Sequence, residues 1–269
     1  MNAQTPEGEP ANAAAREDGP ANAPTPEEER RAHATYRRMA LVDFPEDLML
    51  GLNLGFYRTF AVPSIARVLH GTGRMTGRPK ARAKATGEVM YALIEHGFDD
   101  PTGLETVALL NRIHARLPVG DEEFVYVLAA FCVAPLRWID AHGPRPTTSA
   151  EKAAAYGFYA GLAQRMAIKP LPHSYQELAF WMDRFEERTF AVTPEGRALL
   201  NATRGLLADR FPAPLAGLVR TASDTLLDDR LRTAFGVTAP PRALRALVAA
   251  GLRYRARRLR GRRGLLGRP

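Results

Sequence analysis

Apolar residues recur at helical spacing along nearly the whole chain, and nowhere do they alternate with polar residues as they would along a half-buried strand. This pattern predicts helices over residues 31–41, 46–57, 62–70, 80–96, 103–117, 121–141, 149–166, 174–190, 194–210, 214–234 and 240–260. Boundary chemistry marks several of the starts. Ser174 followed by Glu177 spells a capping box, and Thr193-Pro194-Glu195 offers an N-cap, a first-turn proline and an acid at the positive end of the helix dipole. Asp121 before Glu122, and Thr148 or Ser149 before Glu151, mark two more. There is no internal repeat and no Asn-Gly hairpin signal. The expectation is one all-α, multi-helix globular domain over residues 31–260 with short connections.

Polar residues interrupt two of the apolar stripes. Val107, Leu110, His114 and Leu117 form one stripe, which places an imidazole where a core side chain belongs. Arg82, Thr86, Met90 and Leu93 form the other, and its first two members are polar. Two short helices joined by the Gly97–Gly103 loop pack most simply as an antiparallel pair, which would gather His114, Arg82 and Thr86 into one interior. On spacing alone, a haem pocket and a core histidine satisfied by a hydrogen bond both fit. Arg82 has two readings as well: a pocket residue, or one surface cation in the run Arg78, Lys80, Arg82, Lys84.

Composition narrows the class. With 269 residues, 46% of them apolar, the chain can bury a sizeable core. Cys132 is the one cysteine, which excludes an intrachain disulfide and a thiolate metal cluster and fits a reducing compartment. It lies in the apolar run Phe124–Leu136 and reads as a small core residue. That run stops at Arg137, short of the roughly 20 residues a membrane span needs. The first residues carry Glu7, Glu9, Asp18 and Glu27 without the apolar segment of a secretory signal. The resulting expectation is a cytoplasmic protein without a transmembrane helix.

The formal charge of +8 is unevenly placed: residues 1–34 carry −4 and residues 242–269 carry +10. The opening segment is rich in Ala, Pro, Glu and Asn without periodicity, so residues 1–30 are expected to be disordered. The final basic residues 261–269 are expected to be disordered too. Arg253, Arg255, Arg257, Arg258, Arg260, Arg262 and Arg263 suit either a solvated helix end or peripheral contact with an anionic membrane, with nucleic acid the less favoured partner.

Motif chemistry excludes several enzyme classes. The chain has no phosphate loop, no dinucleotide-binding glycine fingerprint, no H-E-x-x-H and no G-x-S-x-G. Its six histidines are scattered: His96, His142 and His173 adjoin Gly or Pro, and His33 and His70 fall near predicted element ends. No pair has metal-ligand spacing. A cofactor site built on one histidine is left, and haem is the cofactor that commonly needs one.

Several segments then carry a resemblance. Leu110-Asn111-Arg112-Ile113-His114, Val119-Gly120-Asp121-Glu122-Glu123-Phe124-Val125-Tyr126-Val127-Leu128 and Pro135-Leu136-Arg137-Trp138 resemble the oxygenase MpaB family, which is related to the rubber oxygenases (latex clearing proteins). So do Gly161 to Met166 and Ile168 through Tyr175, and the similarity runs from about Phe44 to Arg257. The resemblance implies an all-helical b-type haem protein with His114 as the iron ligand and Arg82 and Thr86 matching an Arg-x-x-x-Thr pair upstream. Where rubber oxygenases place a lysine just before that threonine, this chain has Ala85, with Lys84 adjacent. The implied activity is haem b-dependent oxygenation, with dioxygen, of a small unsaturated apolar, isoprenoid-like substrate by C=C cleavage. Phe131, Trp138, Tyr156, Phe158, Tyr159, Phe180 and Trp181 could line its cavity or fill the core. The alternatives are a helical haem-binding protein without oxygenase activity and a module that contacts membrane or nucleic acid through its arginine tail.

Overall fold

Thr25 closes a capping box with Glu28, and Pro26 and three acids follow it in the first turn, so helix α1 begins at Pro26 and runs to Arg38. Residues 26–30, expected to lack structure, are therefore helical. In this computed structural model, which describes residues 25–208, 212, 214 and 216–266, a π-helical turn (Met39–Asp43) follows α1. Then come α2 (Pro45–Thr59), α3 (Pro63–Gly71), α4 (Arg74–Gly77), α5 (Pro79–His96), α6 (Pro101–His114) and α7 (Asp121–His142). The remainder is α8 (Ser149–Arg165), α9 (Tyr175–Thr189), α10 (Pro194–Ala208), α11 (Ala216–Asp224), α12 (Asp229–Phe235) and α13 (Arg242–Leu266). Among the described residues there is no strand, and the all-α expectation holds.

The differences from the expected boundaries have local causes. α6 stops at His114 and not at residue 117, because Leu117 precedes Pro118 and the residue before proline disfavours helical backbone. The single helix expected over 214–234 is two, divided where Asp228 accepts from the Leu231 amide and starts α12 afresh. α4 was not expected; it follows Gly73, whose φ of +63° is a left-handed turn glycine adopts without cost. Ser174 caps α9, yet Glu177 accepts from the His173 amide and not from that of Ser174, so half of the expected box forms. α13 continues through Leu266, past the expected end at 260; residues 1–24 and 267–269 lie outside the described residues.

The core is organised by α7. Thirteen of its residues are buried, from Val125 to Ile139, with Tyr36, Phe44, Phe158 and Phe185 of other elements packed around them. α2 crosses α7 closely enough that a Cβ on Gly51 would stand 2.3 Å from the Pro135 Cα and one on Gly55 2.6 Å from the Ala130 oxygen. Only glycine fits at that crossing. A smaller cluster of Phe60, Met75, Leu199, Leu200, Leu227, Leu231 and Phe235 joins the first through Phe56, Leu69 and Phe190. Each fully buried Phe or Leu contributes about 1.5–3 kcal/mol. α7 is also long and apolar enough to cross a membrane, which the run ending at Arg137 had not suggested; 72% of its most apolar stretch is buried inside the protein. Cys132 sits in that helix, fully enclosed, and burial pushes its thiol pKa far up.

Candidate functional site

The α5–α6 pair is closed at one end and open at the other. At the closed end Gly103 packs so tightly on Gly97 that a Cβ would stand 1.8 Å from the Gly97 oxygen. Met90, Leu93 and Ile94 of α5 and Val107 of α6 are buried there. Toward the other end burial fades: no residue from Pro79 to Val89 is buried, and on α6 none beyond Val107. Arg82, Thr86, Leu110 and His114 are all half-buried along this groove. The charge of Arg82 acts on the His114 ring, so the start of α5 lies beside the end of α6 as an antiparallel hairpin requires.

His114 is held in one orientation. Its Nδ1–H donates to the Leu110 carbonyl at 2.8 Å, one turn back in α6. Phe124 at the start of α7 meets the ring edge-on with centroids 5.6 Å apart. The Leu110 bond fixes the tautomer whose lone pair is on Nε2, and among the described residues no hydrogen bond engages Nε2. Burial, helped by the Arg82 charge, pulls the imidazole pKa below its ordinary value against the opposing Leu110 bond. The ring is therefore neutral at pH 7, with a free nitrogen at the groove.

Arg82 is a half-buried cation without a counterion among the described residues. Its guanidinium donates to the Thr86 hydroxyl, which in turn donates to the Arg82 carbonyl at 3.0 Å. Among the described residues no carboxylate pairs with it, while burial and then the neighbouring charge of Arg74 lower its pKa. A guanidinium does not deprotonate in protein, so the site favours an anion. Lys84 points away: it is exposed and pairs with Glu88 at 3.3 Å. The lysine missing at position 85 is not replaced from position 84.

Beyond Thr86 lies an apolar cavity of about 70 Å³, walled by Met49, Leu52 and Phe56 of α2, Met75, Met90 and Phe131. Of the aromatic residues named from the sequence, Phe131 alone lines it. Phe158 and Tyr159 are fully buried core, Tyr159 bonded to the Tyr36 hydroxyl at 3.1 Å. Tyr156 donates to the Pro172 carbonyl, Trp181 stacks on Phe185, Phe180 is exposed, and Trp138 lines a different cleft. The amphipathic pattern identifies a side chain as inward without saying which space it meets.

The donor set suits haem. One neutral imidazole with a free Nε2 and one uncompensated guanidinium match an iron and the carboxylate side arms of a macrocycle. The cavity beside Thr86 is far smaller than the roughly 300–1,000 Å³ of ordinary ligand sites, so it does not itself hold such a ring. Among the described residues no three His, Cys, Asp or Glu side chains gather to hold a bare metal ion.

The motif block that carries the resemblance also acts structurally, which spacing did not reveal. Asn111 donates to the Arg165 carbonyl at 3.1 Å, tying the helix of His114 to the end of α8. Trp138 Nε1 donates to buried Asp47 at 3.2 Å. Arg58, unremarked in the sequence, grips fully buried Glu186 through Nε at 2.6 Å and Nη2 at 2.5 Å and also bonds Asp228, while Tyr126 donates to Glu186 at 3.1 Å. Burial alone would lower the Arg58 pKa, but Glu186 and Asp228 outweigh it and hold the guanidinium above its ordinary value.

The described residues form an all-helical protein in which His114, Arg82 and Thr86 are half-buried at one end of the α5–α6 pair. The family described as "ER-bound oxygenase mpaB/B'/Rubber oxygenase, catalytic domain" matches residues 45–258, and the chain belongs to it. Among curated relatives, ER-bound oxygenase mpaB' of Penicillium brevicompactum is 23% identical over 231 residues, covering 79% of this chain and 54% of its own length. ER-bound oxygenase mpaB of the same organism is 23% identical over 209 residues (70% and 53%), and that of Penicillium roqueforti 22% over 225 (77% and 75%). The chain thus spans about half the length of the two Penicillium brevicompactum relatives.

Proposed function

We propose that this chain is a haem b-dependent oxygenase that cleaves a C=C bond of a small, unsaturated, apolar, isoprenoid-like substrate with dioxygen. The observation that carries the reading is the free Nε2 of half-buried His114 near Arg82, whose charge acts on the ring and which no carboxylate among the described residues balances. Membership of an oxygenase family agrees with it.

His114 would hold the iron through Nε2, with Leu110 setting ring orientation through Nδ1–H. Arg82 would supply the positive charge of the groove, either to a propionate or as a hydrogen-bond donor toward the reacting oxygen, with Thr86 holding it in place. Bound there, haem supplies the oxygen activation that no side chain of this protein provides. The apolar side chains of Phe56, Met90 and Phe131 beyond Thr86 would offer the hydrocarbon a dry wall, the cavity they enclose being too small to hold it. The exposed arginines of α13 would add peripheral contact with an anionic, cytoplasm-facing membrane.

The test is spectroscopic and then chemical. The purified protein, supplied with haem, is expected to show a histidine-ligated b-type spectrum that His114→Ala abolishes, and to consume oxygen with an isoprenoid alkene to give carbonyl products. Full haem occupancy with an unchanged spectrum in His114→Ala would remove His114 from the role. Haem binding without turnover would leave a haem protein that is not an oxygenase.

A further inference from the structure

A second cleft, of about 410 Å³, lies under α13 on the far face of α2. Met49, Leu52, Asn53 and Phe56 line the cavity beside Thr86, whereas Leu54 and Arg58 line this cleft. At 100° per residue these are opposite sides of one helix, so α2 separates the two spaces.

α13 spans the cleft like a strut. Arg255 pins it to Asp47 at 2.7 Å and Glu46 at 2.8 Å, and Ala256 is buried beside that anchor. One turn earlier the contact loosens. Leu244, Val248 and Leu252, spaced four apart on the inner face, are only half-buried, and Val248 and Leu252 open onto the cleft. Leu54, Ala134, Met182, Leu226 and Leu231 form the opposite wall. An apolar stripe facing apolar walls across a gap of this size, within the range of ordinary ligand sites, suits an apolar guest better than water.

The polar groups of the cleft specify the other end of that guest. Arg58 is committed to Glu186 and Asp228, and both terminal nitrogens of Arg137 bond Asp183 at 2.7 Å. That leaves Arg245, which has no ion pair among the described residues, and His142, tilted against Trp138 with ring centroids 4.3 Å apart and without a hydrogen bond among them. The positive charge not already balanced is therefore that of Arg245, on the same helix face as Val248 and Leu252.

We propose that this cleft binds a free single-chain carboxylate amphiphile, of fatty-acid type, with its chain between α7 and α13 and its carboxylate at Arg245. It is a site distinct from the His114 groove and does not depend on haem. The test is calorimetric titration of the full-length protein with laurate below its micelle concentration. One saturable site per chain is expected, with dodecanol binding about tenfold more weakly. Arg245→Gln, a change at an exposed position, should cost laurate about tenfold and leave dodecanol unchanged. Val248→Trp, or Ala249→Phe should the first variant lose helicity, fills the cleft and should abolish both. His114→Ala should leave laurate binding intact. Absence of saturable binding, equal laurate binding by Arg245→Gln, survival of binding in the folded cleft-filling variant, or its loss in His114→Ala would each overturn the assignment; the last would put the ligand in the α5–α6 groove.

Discussion

The His114 ring and the Leu110 carbonyl are one turn apart in α6 and 2.8 Å apart in space, so the helix that positions the imidazole also selects its tautomer. The partner is main chain, and substitution at position 110 cannot delete it. Leu110→Ala is accordingly expected to keep haem binding, while His114→Ala loses it. Because His114 is half-buried at a helix end, its removal should change thermal stability by no more than about 1 kcal/mol, within the usual range for substitutions away from the core. Haem content by pyridine haemochrome and melting by circular dichroism check both.

Arg82 is a charge held partly out of water with no carboxylate among the described residues to balance it. Arg82→Met should leave the haem-free protein as stable as before or more so, since an uncompensated desolvation cost disappears. Turnover is expected to fall about ten- to a hundredfold, the worth of one charge-assisted hydrogen bond, with Thr86→Ala showing a smaller loss. Equal oxygen consumption at equal haem content would make the pair incidental.

The Arg58–Glu186 pair behaves in the opposite sense. Glu186 is fully buried and accepts from Arg58, Tyr126 and, at 3.4 Å, half-buried Arg230, so Arg58→Leu removes its bidentate partner and leaves the carboxylate with only the weaker two. A loss of about 3–5 kcal/mol is expected on urea or thermal unfolding, against about nothing for the exposed pair partner Lys84→Ala.

How far these relationships can be read from sequence depends on their range. The helices were legible because the 3.6 period and the caps are local, and of the two starts offered before Glu151 it is Thr148 that caps α8. His114, Arg82 and Thr86 were legible as a group because one short loop joins their two helices. Arg58 and Glu186 were not: they are 128 residues apart, and nothing local marks either as buried. The same holds for Arg255, which reads as one more solvated arginine of the tail until α13 folds back onto Asp47, 208 residues away. The wall of the cavity beside Thr86 draws on five helices, α2, α4, α5, α7 and α10, so periodicity could assign inwardness to its aromatics but not destination.

Acid should unfold the protein from about pH 4 downward. Burial would raise the pKa of Asp183, Asp228 and Glu151, but Arg137, Arg58 and Arg145 respectively outweigh it and hold each below its ordinary value. The folded state thus binds these protons less readily than the unfolded chain. Their stabilisation is complete above the ordinary carboxylate pKa of about 4 and is lost as pH falls through the lower folded values. Asp224, which burial raises, works the other way and softens the slope. Melting temperatures from pH 6 to 3 should be flat and then fall; in Arg137→Gln the fall should be shallower, since the folded pKa of Asp183 returns toward normal.

The arginines of α13 divide by role, and this sets what membrane experiments should show. Arg255 is an anchor to Asp47 and Glu46, whereas Arg253, Arg257, Arg258 and Arg260 are exposed, next to the exposed side chain of Tyr254. Basic residues at an anionic surface contribute roughly 1 kcal/mol each, so the four can hold the protein reversibly at low ionic strength and not at high. Removing residues 252–269 would delete the anchor together with the exposed charges and confuse the two. The cleaner variant replaces Arg253, Arg257, Arg258 and Arg260 with Gln and keeps Arg255. It is expected to melt within about 1 kcal/mol of the parent, as surface substitutions do, and to lose sedimentation with phosphatidylglycerol vesicles that the parent shows in dilute buffer. Undiminished sedimentation by the variant would make these arginines a solvated helix face, and binding that persists in molar salt would assign the contact to apolar insertion rather than to charge.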